Sequence, residues 1–109
     1  MIGFKLPLAA GAGLMLAAQP ADTYYQLHYD YEAAAQCGLV TAAVERAFRK
    51  KRAAADAASS LAPDALKKIR IRAYVAAERE YDNRGLGGHK QWCRGEVREG
   101  VRRILLPAP

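Results

Sequence analysis

Cys37 and Cys93 are the only two cysteines in the chain, and they close a loop of 57 residues counting both ends. In an exported chain, two cysteines most simply form one disulfide. The chain-entropy model assigns a loop of that size roughly 4 kcal/mol, comparable with the whole stability of a small domain. Such a bond sets an early segment beside a late one and limits the arrangements left to the residues between. Cys93 itself sits in the stretch Tyr81 to Gly95, which also holds the only Trp, one of two His and four of nine Gly. That stretch reads as a helix end, a glycine turn and a new helix carrying Trp92 and Cys93 inward.

The compartment argument rests on residues 1–21. Lys5 supplies a short positive start, Leu6 to Ala18 is an apolar run of 13 residues, and Ala-Ala-Gln-Pro-Ala follows, with cleavage expected near Ala21. A spanning helix needs roughly 20 apolar residues, so a signal peptide is the expectation and a membrane anchor is not. Residues 22–109 are then one small helical domain, periplasmic or secreted. Loss of Lys5 and of no acid leaves 16 basic against 11 acidic residues. A moderately basic exported chain suits an anionic surface or polymer. Nucleic acid is not an expected partner.

The apolar fraction is 51%, but much of it is Ala. Ala buries little area and favours helix above all other residues. The expected fold is therefore all-α, a small bundle of three to four helices closed by the disulfide. The first segment is ambiguous. Tyr25, Leu27, Tyr29 and Tyr31 alternate with polar residues, as in a strand. Tyr24, Leu27, Tyr31 and Ala34 also form a helical stripe, and nothing else in the chain offers a strand to pair with, so helix is favoured. Gly38 fits a C-cap and Thr41 an N-cap. The next helix sets Val40, Val44, Ala47 and Phe48 on one face and fades into an apparent linker over Ala53 to Ser60. Pro63 and Asp64 open a third helix running to about Asn83. Its wide apolar band, including Ile71 and Tyr74, predicts that it is the central one. The last helix places Trp92, Val97, Val101, Ile104 and Leu105 inward, and Pro107 ends it. Trp92, Phe48, Leu66, Ile69 and Val97 are the expected core.

Residues with chemistry are few. No Ser-His-Asp order, paired-carboxylate signature, phosphate loop or CxxC occurs, so neither an enzyme nor a cofactor is expected. His89 and Cys93 lie four apart, on one helix face. If His28 approached Cys37, two His and two thiolates would make a metal site. Each His more simply reads as a surface or cap residue. Arg49, Lys50, Lys51 and Arg52 are the basic run expected to meet an anionic partner. Lys90 and Arg94 flank Trp92 in a small aromatic-basic patch.

The order of signal peptide, Cys37-Gly38, Asn83-Arg84-Gly85 and Trp92-Cys93 resembles small exported two-cysteine helical proteins of bacteria. The resemblance implies an envelope location, a helical fold and a structural disulfide, and it assigns no catalytic residues. The expected role is a non-enzymatic binding or structural module of the envelope. The alternatives are metal handling through His and Cys, or charge-driven attachment to anionic envelope surfaces. The oligomeric state stays open.

Overall fold

The computed structural model describes residues 20–107, and the reading of the N-terminal stretch as a signal peptide lies almost wholly outside them. The described residues form an all-α fold with no strand. Its helices are α1 (Pro20–Gln36), α2 (Ala42–Ala58), α3 (Pro63–Asp82), and a fourth divided at Gly95 into α4 (Gly88–Arg94) and α5 (Glu96–Leu105).

The boundaries follow from local chemistry. α1 ends where Gly38 turns left-handed, with φ +69°, a conformation that costs glycine almost nothing. Its N–H then reaches Ala35 O, and Leu39 N–H reaches Ala34 O. Thr41 Oγ1 accepts from Val44 N–H at 3.1 Å and starts α2. Pro63 sits in the first turn of α3, with Asp64 beside it at the positive end of the dipole. The expected linker over Ala53 to Ser60 is mostly helix. Ala propensity carries α2 on to Ala58, and only Ser59 to Ala62 connect.

The centre of the fold is α1, not α3 as its sequence pattern predicts. α1 packs most extensively on α3, then on α5, and also touches α2. The reason is visible in its side chains. Ala33 and Ala34 are fully buried and let neighbouring backbones approach closely, while Tyr24, His28 and Asp30 are buried on other faces. The band on α3 is wide because part of it faces out. Ala73 and Ala77 are buried, but Ile71 and Tyr74 stay 52% and 45% exposed. Leu105 likewise lies outside the core, at 47% exposure.

Three apolar clusters fill the interior. Ala33, Ala34, Ala77, Trp92 and Val97 form one, against which Cys37 and Cys93 pack. Tyr24, Leu66 and Ile69 form the second. Val44, Phe48 and Ile104 form the third. All five expected core residues are buried. Cys37 and Cys93 are bonded, with their Cα atoms 5.6 Å apart, the ordinary separation for a disulfide.

Candidate functional site

α2 and α3 both lean on α1 but make almost no contact with each other. A groove of about 560 Å³ is left between them. α1 supplies its floor through His28, Tyr31 and Glu32. α2 supplies one wall with Glu45, Phe48, Arg49 and Arg52. α3 supplies the other with Lys67, Arg70, Ile71 and Tyr74. On both walls the residues recur at i, i+3, i+4 and i+7, so each helix presents one continuous stripe to the groove.

The walls are mainly cationic. Arg49 is paired with Glu45 one turn back at 2.7 Å, and Arg52 with Asp56 at 3.6 Å. Exposed pairs of this kind hold their partners weakly. Arg70 has no carboxylate partner among the described residues; its Nη1 donates to Tyr24 Oη at 2.8 Å. Lys67 makes no salt bridge among the described residues. Four cations, Arg49, Arg52, Lys67 and Arg70, stand against two acids, Glu45, which is paired with Arg49, and Glu32, whose carboxyl burial pushes above its usual range, so the lining keeps an excess of positive charge. The floor is aromatic. Tyr31 stacks on Phe48 with ring centroids 3.8 Å apart.

His28 is the unusual member. It is 3% exposed, not a surface residue as its sequence position suggests. Its ring lies 4.5 Å from that of Tyr24 and meets Phe48 edge-on at 5.2 Å. Burial, and then the Arg52 and Arg70 guanidinium groups, lower its pKa to about 4. The ring is therefore neutral at pH 7. Its Nε2 is buried and has no hydrogen-bond partner among the described residues, which is rare because an unmade bond to a buried polar atom is costly.

The basic run 49–52 is divided by the helix. Arg49 and Arg52 face the groove. Lys50 is exposed and does not line it, and Lys51 Nζ donates to Arg103 O at 2.7 Å across to the end of α5. Lys67 and Arg70 belong to a second basic cluster of the sequence, Lys67 to Arg72, and the fold sets them opposite Arg49 and Arg52. Their spacing with Ile71 and Tyr74 was the signal that α3 has a second ordered face.

The His and Cys side chains are not gathered. His28 is nine residues before Cys37, which directly follows the last residue of α1, so the two are about 13 Å apart along the helix axis. His89 lies instead at the disulfide end, its ring 4.7 Å from that of Tyr81. It lines a shallow cleft of about 340 Å³ with Cys37 and Cys93. Both sulfurs are used in the disulfide, and no group of three or more metal-ligating side chains occurs among the described residues. The cation over Trp92 is Arg84, 5.1 Å from the ring, rather than Lys90 or Arg94. Arg84 also pairs with Glu80.

A second buried polar group joins α1 to α5. Asp30 is 4% exposed and accepts from Arg103 Nε and Nη2, both at 2.9 Å, and from Gln26 Nε2 at 2.8 Å. Gly100 packs directly over it; a Cβ there would stand 2.8 Å from Asp30 Oδ1. That contact explains a glycine within α5. The pair is saturated and makes a clasp rather than a reactive site. No helix among the described residues is long and apolar enough to cross a membrane. No family model matches this chain, and no curated protein or solved structure matches it significantly.

Proposed function

We propose that this chain is an exported, non-enzymatic binding module that holds an anionic partner in the groove between α2 and α3. The observation that carries the reading is the set of four cations, Arg49, Arg52, Lys67 and Arg70, facing one another over an aromatic floor. The disulfide and the signal-like N-terminus support a periplasmic or secreted location. The resemblance to exported two-cysteine helical proteins points the same way. Metal handling is disfavoured by the distance between His28 and the sulfurs and by the bonded cysteines.

The test compares binding of an anionic polymer, such as polyphosphate, by the full chain and by two variants. Neutralising Arg49, Arg52 and Lys67 together to Gln is expected to weaken binding about tenfold at low salt, from three surface charge contacts. Neutralising Lys50 and Lys68, which do not line the groove, is expected to change it by less than about twofold. Losses in proportion to the number of charges removed, three against two, would reduce the interaction to net charge. Turnover of an envelope substrate by the purified protein would overturn the non-enzymatic reading.

A further inference from the structure

We propose that the deep end of this groove, at His28, Arg52 and Arg70, is a seat for the phosphate of a phosphate monoester, with the ester's organic body lying against Ile71 and Tyr74. The inference rests on the groove reading and gives it a ligand class. Its independent support is His28. This side chain is buried and uncharged, it lines the floor of a cationic cleft, and its Nε2 has no hydrogen-bond partner among the described residues. A merely structural histidine at this position would be expected to satisfy Nε2. In this structure Nε2 is sealed just below the groove surface; an oxyanion that displaces the side chains covering it supplies the missing acceptor and holds the ring as its Nε2–H tautomer.

The surroundings select among anions. Donors come from three helices: His28 from α1, Arg52 from α2 and Arg70 from α3. Converging from three directions, they suit a tetrahedral group with three terminal oxygens better than a planar carboxylate. Both arginines are available. Arg52 leaves only an exposed contact at 3.6 Å, and Arg70 spends one N–H on the Tyr24 hydroxyl. Lys67 stands on the same wall as a further charge. The outer part of that wall is apolar, since Ile71 and Tyr74 are among the few exposed large hydrophobic residues. Inorganic phosphate would leave that surface bare, and an ester covers it.

The experiment titrates the oxidised full chain with phenyl phosphate at pH 7 and follows the His28 and His89 ring nitrogens by NMR. A saturable shift of His28 toward the Nε2–H tautomer, with His89 unmoved, is expected. Phenyl phosphate should bind about tenfold more tightly than benzoate, and His28→Phe and Arg70→Gln should each lose about tenfold. His28→Phe keeps the packing between Tyr24 and Phe48 and removes the unpaired nitrogen. It should therefore raise Tm by about 5 °C while it weakens binding, which separates loss of the seat from loss of the fold. A parallel arm uses phosphatidylcholine vesicles containing phosphatidic acid. His28-dependent binding there, but not to phenyl phosphate, identifies a lipid headgroup as the source of the monoester. Binding of either probe that is unchanged in His28→Phe overturns the seat and leaves the groove reading standing. If phenyl phosphate, the vesicles and polyphosphate all fail to bind, the seat and the groove reading fall together.

Discussion

His28 makes the folded protein sensitive to acid. In the unfolded chain its pKa is near 6.5, and in the fold it is lowered to about 4, first by burial and then by Arg52 and Arg70. Between these values the unfolded state binds a proton that the folded state refuses. Stability attributable to His28 is thus fully present above pH 6.5 and falls as the pH drops toward 4, by on the order of 3 kcal/mol. The charged groups facing this pocket are Glu32 on α1, Glu45, Arg49, Arg52 and Asp56 on α2, and Lys67 and Arg70 on α3. Asp56 opposes the shift only weakly. Urea midpoints measured from pH 7 to 4 should fall steeply for the natural chain and less for His28→Phe, the difference between the two curves isolating the imidazole. The other buried polar residue behaves differently. Arg103→Met leaves Asp30 buried without its charge partner and should cost about 2 kcal/mol in urea unfolding. Gly100→Ala would gain up to about 1 kcal/mol in helix propensity. The new methyl meets a carboxylate fixed by three hydrogen bonds, so a net loss of about 1–2 kcal/mol is expected. A stabilised Gly100→Ala variant would show that the clasp yields.

At the scale of helices, local signals were legible and contacts between helices were not. Thr41, Pro63 and Gly38 mark ends because each satisfies or avoids a backbone hydrogen bond within a turn of itself, and that chemistry is written in adjacent residues. Thr41→Ala should accordingly cost about 1 kcal/mol in thermal or urea unfolding. The two-residue alternation near Tyr25 resembled a strand because α1 is contacted from several sides, so buried residues fall all around it. The width of the α3 stripe misled for the opposite reason. Apolar residues facing a groove look, in sequence, like apolar residues facing a second helix. The four-residue run 49–52 wraps around its helix, and only the tertiary arrangement decides that Arg49 and Arg52 meet Lys67 and Arg70 while Lys51 turns to α5. His28 was illegible because one imidazole among tyrosines reads the same whether it packs or projects.

For the molecule as a whole, the Cys37–Cys93 bond joins the end of the central helix to the Trp92 cluster. Its pairing was legible because two cysteines leave one partner each. Replacing both by Ala should remove roughly 4 kcal/mol and lower Tm by about 20 °C, measured by calorimetry. Protection from hydrogen exchange should fall first around Gly88–Arg94, at the disulfide end, and last around His28.

The two-cysteine arrangement also has a consequence for how the chain matures. One pair admits a single intramolecular connection, so no wrong bridge can form within a monomer and none needs shuffling. Oxidative refolding from the reduced, denatured chain should need only an electron acceptor. An isomerase should leave its yield unchanged, and its main competitor should be cross-linking between two chains, which dilution suppresses.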